Sequence, residues 1–412
     1  MAQKLKFGNG TWATKKGSTL AYNDERGNFK PLPFTTTRDS IATRVNKEGL
    51  IEVVGNDVPR IDYTDSADGV LLLEPQSTNL ITHSSELTNS SWVKTNTGTG
   101  SAPSITSNYS ISPDGTQNAD RVIFNLNGGT ANGDISQVSV TIGSVSSASY
   151  TNSVYIKSNT ANNYDLVVTD PSGGHIVKNI STEWQRFDNP RENVTNASFR
   201  IRLRGDEGTS DYADVSIWGA QLEQQSFVTS LINTSGSTVQ RAAETASGAG
   251  NSEVFNDSEG VLFAEINLIY NQSGRYITLG DGTSSNRIIL GTEGGDDRII
   301  FYVIVGGNVQ CQIPYILPDI NAIYKIAIKY KQNDFALWVN GLEVGTDTSG
   351  STLASNALSK LVFNGGTGTS NFYGKTKELG YYNTALTDAE LEYMTSYRSL
   401  NELVTELNLN EL

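Results

Sequence analysis

Two histidines, one cysteine and 44 acidic residues are the groups in this 412-residue chain from which a reaction could be built. His83 stands in THSS and His175 in GGHI, so a multi-histidine metal centre is excluded and a Ser–His–Asp triad would have to use one of these two. No G-x-S-x-G elbow exists to pair with either. Cys311 is alone, which rules out an intramolecular disulfide and every cysteine-based zinc cluster. A glycosidase needs only two suitably spaced carboxylates, but nothing in the sequence singles out a pair. The words GNG, GDG and GTGTS are turn signals that never continue into a Walker Lys-Ser/Thr. We therefore expect no enzyme and assign no catalytic residue.

Binding chemistry is better represented. Trp92 and Trp184 are flanked by polar residues and are of the type that stacks on the apolar face of a sugar ring. Trp218, within VSIWGAQL, and Trp338, within ALWVNG, read instead as core. Arg200, Arg202 and Arg204 alternate with Phe199, Ile201 and Leu203, so a strand there has one apolar and one cationic face. Such a stripe suits a carboxylate-bearing glycan or an acidic partner surface. The loops GDEG at 205–208 and DDR at 296–298 offer oxygen atoms of the kind calcium takes, yet no D-x-D-x-D-G pattern is present. The expectation is no metal site and no cofactor, with calcium the single ion the loops leave open.

The elements that must position these residues are short strands. Charged residues make up only 18 %, and 39 glycines stand against 10 prolines, a composition of strands and turns rather than of helices. RVIFNL at 121–126, ISQVSVTI at 135–142, YTNSVYIKS at 150–158, YDLVVTD at 164–170 and ASFRIRLRG at 197–205 predict one β-sandwich. RIILGT at 287–292, RIIFYVIV at 298–305, IYKIAIKY at 323–330 and KELGYY at 377–382 predict a second. Ile299–Val305 is apolar throughout, which predicts a central strand covered on both faces. The small, polar stretch TSGSTVQRAAETASGAGNS at 234–252 reads as the boundary between them. Thr387-Asp388-Ala389-Glu390 is a capping box, and Leu400, Leu403, Val404 and Leu407 recur at helical spacing. The fold class expected is all-β: an attachment segment at 1–80, a jelly roll at 81–240, a second sandwich at 253–395 and an amphipathic helix at 396–412.

Residues 1–80 hold Phe7, Trp12, Tyr22, Phe29, Phe34, Leu71 and Leu73 between turns, too few for an independent core and too many to leave in water. Burial against other subunits would resolve this. Trp12 and Phe34 would bury, while Arg44, Arg60 and Glu74 would pair between chains and set the register of a dimer or trimer. The alternative is that the segment folds back on its own jelly roll as extra strands. A net charge of −14 repels phosphate backbones and anionic lipid alike, so neither nucleic acid nor a membrane is an expected partner. The start, MAQKLKFGNG, lacks a signal-peptide core, and no apolar run approaches ~18 residues; synthesis in a cytoplasm is expected.

ATRVNKEGLIEVV, NDVPRIDY and GVLLLEPQSTNL, within 38–80, resemble a segment near the N-terminus of many bacteriophage virion appendage proteins. IWGAQLEQQSF and STVQRAAE, with TEWQRF, look like parts of the carbohydrate-binding-module-type jelly roll of the same proteins. ALWVNG and NFYGKTKELGYYNTALTDAELEYM are similar to the closing strands and helix of concanavalin A-like, laminin-G-type domains. The opening FGNGTWATKKGSTLAYNDERGNFKPLPF resembles fibre proteins of phages infecting Bacteroidetes, including the crAss-like group. The resemblance implies a structural virion protein, a head fibre or other capsid or tail appendage. It would be assembled in the host cytoplasm, contact other virion proteins and bind host-surface glycans weakly. A polysaccharide-degrading tail enzyme and a secreted lectin-like adhesin are the alternatives.

Overall fold

The computed structural model describes residues 3–23, 30–269, 273–294 and 297–406; Phe29, Asp296 and Leu407 lie outside the described residues. Among the described residues the chain is all-β apart from two short helices, Asp388–Thr395 and Leu400–Glu406. It divides into two compact units.

The first unit comprises Met1–Asp39, Val54–Pro75 and Ala243–Leu412, and here the expected division is redrawn. Residues 1–80 do not stand apart, because their strands are too short to be stable singly and complete two larger sheets. In the eight-stranded sheet, Gly374–Tyr382 pairs along one edge with Glu259–Asn267. Its other edge is shared by Gln3–Gly8, with Phe7 opposite Leu379, and Val70–Leu73, with Leu71 opposite Thr376. The nine-stranded sheet takes in Phe34–Thr37 beside Thr245–Ala249, which in turn pairs with Lys360–Val362. Phe7, Phe34, Leu71 and Leu73 share one core with Leu262, Ile277, Phe301, Ile326 and Leu379. Gly8 closes the first strand at φ +79°, where a Cβ would collide with the Lys377 carbonyl. Arg298–Val305 is an internal strand. Ile299, Phe301 and Val303 face the core, but Tyr302 and Ile304 on the other face are only half-buried, so the double-sided burial expected there is incomplete.

The capping box forms as read: Thr387 accepts from the Glu390 amide and Glu390 reaches back to the Thr387 amide. This helix places Leu391 against Val261, Phe263, Ala327 and Trp338, which covers the outer side of those strands. In the second helix Glu402 pairs with Lys325.

The second unit comprises Ser40–Val53 and Gln76–Ala242. One ladder runs Ser101–Ile111, Gln117–Asn125, Tyr212–Glu223, Ile135–Ser158, Gln185–Arg204, Tyr164–Thr169, His175–Ile180, with Val93–Thr97 added beside Ile135–Ser158. The segments at 135–142 and 150–158 are a single strand whose register with its neighbour slips between Thr141 and Tyr150. Val138 and Val140 before the slips and Val154 and Ile156 after them line the same core as Phe199, Ile201, Val215 and Ile217, the arrangement of a sandwich made by folding one ladder over. The stretch at 234–252 is no loose linker. It supplies Val239–Arg241, paired with Ser77–Asn79, and Thr245–Ala249, and the passage between units falls at Ala242–Ala243.

Candidate functional site

The alternation at 199–204 places Phe199, Ile201 and Leu203 in the core of the second unit and turns the three arginines outward. Register then brings up their neighbours: Gln137 lies opposite Arg202 on one side and Val167 on the other, and Thr169 lies opposite His175 on the next strand. Arg202 is 5 % exposed. It donates to Gln137 Oε1 at 3.2 Å and to His175 Nε2. Arg204 Nη1 lies 2.6 Å from His175 Nδ1, which Glu207 also approaches, so the ring is held between two guanidinium groups and one carboxylate. Burial, reinforced by Arg204 and Arg200, lowers the pKa of Arg202 from its ordinary value. Arg204 is compensated by Asp206 at 2.8 Å and Glu207 at 3.2 Å and donates to the Asn132 carbonyl at 3.1 Å. The GDEG loop thus spends its acids on Arg204 and His175. Nothing in the sequence joins His175 to this cluster: it is 27 residues from Arg202, and strand register brings the two together.

The other expected sugar contacts are placed differently. Trp92 is 1 % exposed, edge-on to Phe199, and its indole N–H donates to the His83 carbonyl at 2.8 Å. It is core, because Val93–Thr97 lies along the ladder and turns the preceding ring inward. Trp184 is half-buried against Trp218, Leu231 and Ile51, donates to the Ile111 carbonyl at 3.0 Å and has the Lys157 ammonium 5.2 Å from its ring centroid. The structure does not join it to the arginine stripe. Near it runs a second outward surface that the sequence did not signal. Tyr109, 43 % exposed, lies under Arg121, and Arg121 pairs with Asp214. Burial pushes the Asp214 carboxyl up, but hydrogen bonds from Arg121 and Asn159 outweigh it and hold it below the usual carboxylate range. A polar depression of about 340 Å³ is lined by Ser85, Glu86, Asn89, Asn108 and Asp120 among others. Among the described residues, no three His, Cys, Asp or Glu side chains gather as metal ligands would.

The residues expected to bind other subunits are satisfied within the chain. Trp12 donates to the Gly69 carbonyl at 3.0 Å, and Phe34 packs between Phe7 and Phe363. Arg44 pairs with Glu52 at 2.7 Å in its own hairpin. Arg60 and Glu74 pair at 2.8 Å in a fully buried cluster with Arg38 and Glu244. Burial opposes the charge on Arg60, but Glu244 and Glu74 more than offset it, so its pKa is raised above the ordinary value. The words at 38–80 and the RAAE at 241–244 therefore contribute buried ion pairs.

Residues 249–392 match the family model described as the concanavalin A-like lectin/glucanases superfamily. No curated protein matches the chain. Among solved structures, it is similar to domain 4 of AbnA, an extracellular arabinanase from Geobacillus stearothermophilus, in complex with arabinotriose. The identity is 14 %, covering 37 % of this chain and 73 % of that one, with a TM-score of 0.31. The CBM40 of the Ruminococcus gnavus IT-sialidase bound to α2,3-sialyllactose is 15 % identical, covering 35 % and 86 %, with a TM-score of 0.31. The CBM22-1–CBM22-2 tandem of Paenibacillus barcinonensis Xyn10C is 10 % identical, covering 76 % and 100 %, with a TM-score of 0.26.

Proposed function

We propose that this chain is a non-catalytic glycan-binding protein that displays two β-sandwich units on a bacteriophage particle, as a head fibre or other capsid or tail appendage. The observation that carries the binding half of this reading is the match of residues 249–392 to a lectin/glucanase superfamily. The virion half rests on the resemblance of 38–80 and of the opening segment to phage appendage proteins. Other virion proteins and further copies of the chain are its proposed partners. With Trp12, Phe34, Arg60 and Glu74 internally satisfied, the apolar residues that 38–80 leaves for such contacts are Ile41, Leu50 and Val53, which are 40–57 % exposed. Shallow single sites of weak affinity gain useful strength from several copies through avidity.

A glycan array read with the full chain as single copies and displayed in many copies on a bead tests the binding. Retention that rises steeply with valency is expected, and absence of binding in every form overturns the reading. Incubation with host-surface polysaccharide should release no new reducing ends. Turnover abolished by replacing one Asp or Glu would favour the enzyme alternative.

A further inference from the structure

We propose that the outward surface around Arg200 and Arg202 is an oxyanion subsite that takes the carboxylate of an acidic saccharide. The proposal rests on the glycan-binding reading and names the ligand class for one site of the second unit.

Three other arginines are fully buried, and of these Arg241 donates to the Thr229 and Ser230 hydroxyls. Arg38 and Arg60 are each matched by a carboxylate at hydrogen-bonding distance. Arg202 is nearly as buried, yet no carboxylate among the described residues forms an ion pair with it. Its two direct partners, Gln137 and His175, bring no carboxylate, and among the described residues its Nε has no acceptor. Asp206 and Glu207 act on it only from a distance, since both are engaged by Arg204 and His175. Acids that form ion pairs with the stripe thus stand at its 204 end; at the 200 end the 170–174 turn holds Asp170, whose carboxylate is taken up by Ser172, the Gly174 amide and Arg191.

Arg200 occupies that end. Among the described residues its guanidinium makes no hydrogen bond or ion pair; only its backbone amide is engaged, by Thr169 Oγ1 at 3.1 Å. It lies against Gly173, whose φ is +90° and where a Cβ would stand 3.2 Å from Arg200 Nη1. The turn therefore approaches with bare backbone and puts no side chain over the charge. Same-face residues along a strand repeat at about 6.6 Å, so Arg200 and Arg202 are adjacent cations in a chain of net charge −14. A bound oxyanion offsets their repulsion and supplies a counter-charge.

The class follows from what surrounds the pair. Charge-assisted bonds from a guanidinium to a carboxylate are about twice as strong as neutral ones. The neighbouring outward positions hold Gln137, Ser139 and the 44 % exposed Val177, which can receive hydroxyls and one apolar sugar edge. They contain no aromatic platform, so a neutral sugar has little to hold it here.

The test uses the full chain and calorimetric or NMR titration with 3′-sialyllactose, trigalacturonate, lactose and inorganic sulfate. Arg200→Gln and Arg200→Lys are compared with the parent after thermal melting has confirmed unchanged folding, as expected for a guanidinium without partners. Acidic saccharides should bind at roughly millimolar strength, weaken as salt is raised, lose at least tenfold in Arg200→Gln and recover in part in Arg200→Lys. Lactose should neither bind at this surface nor compete. Acidic-sugar binding that is indifferent to Arg200→Gln overturns the subsite while leaving the glycan-binding reading intact. Sulfate that binds as well as either saccharide overturns the sugar class, and failure of every glycan overturns both readings.

Discussion

Replacing Glu244 should destabilise the first unit and leave the second nearly untouched. Glu244 is fully buried and accepts from Arg38 Nη1 at 2.6 Å, from Arg60 Nε at 2.8 Å, from Arg60 Nη2 and from the Glu74 amide at 3.1 Å. Glu244→Ala removes all four acceptor contacts from beside two buried guanidinium groups. Breaking a buried pair from one side costs about 3–5 kcal/mol. The lower end applies here, because Arg38 keeps the Val58 and Gly55 carbonyls and Arg60 keeps Glu74. With a urea m-value of about 3 kcal/mol/M, a loss of about 3 kcal/mol lowers the midpoint by about 1 M. Cys311 reports on this unit alone: it is the single cysteine, 1 % exposed in the first unit's core, and burial pushes its thiol up to about 12. It should resist alkylation until the unit opens. Alkylation against urea then gives the midpoint, and the Arg60→Met, Glu244→Met cycle gives the coupling, expected at about 1–3 kcal/mol. A Glu244→Ala shift below about 0.3 M urea, with additive Arg60 and Glu244 effects, would refute the reasoning.

Three further outcomes are expected. A fragment beginning at residue 249 should fail to fold, because it lacks Gln3–Gly8, Phe34–Thr37 and Val70–Leu73 from both sheets; a cooperative melt of that fragment by circular dichroism would contradict the strand assignment. Trp92→Ala should cost the second unit about 3–5 kcal/mol in thermal or urea denaturation, whereas half-buried Trp184→Ala should cost less; a stable Trp92→Ala protein would place the ring outside the core. The Asp214 carboxyl is held below its unfolded value, so its contribution is complete above that value and is lost as pH falls through the folded one. The urea midpoint of the second unit should therefore be flat near neutrality and fall below about pH 4, with a shallower acid slope in Asp214→Asn. An unchanged slope would remove Asp214 from the account.

The features legible from the residues alone are those that neighbours along the chain decide among themselves. The alternation at 199–204 set both the strand and its inward and outward faces. The Thr387–Glu390 capping box set a helix start, and the apolar settings of Trp218 and Trp338 put both rings in the core at 1 % and 6 % exposure. The all-β class follows from the same local signals, since period and turn chemistry span only a few residues. Tertiary structure decided everything that depends on which edges meet. Arg38 and Glu244 are 206 residues apart and Arg60 and Glu244 are 184, so their charges looked free to pair between chains until strand pairing brought them together. Trp92 sits among polar neighbours in sequence yet faces Phe199, and His175 reaches Arg202 only because two hairpin strands pair in one register. The strands at 3–8, 34–37 and 70–73 carried the signal that they needed a partner surface, but not which one. Edge pairing is made by backbone groups common to every residue, and a strand's own alternation says which side faces a core without naming the core.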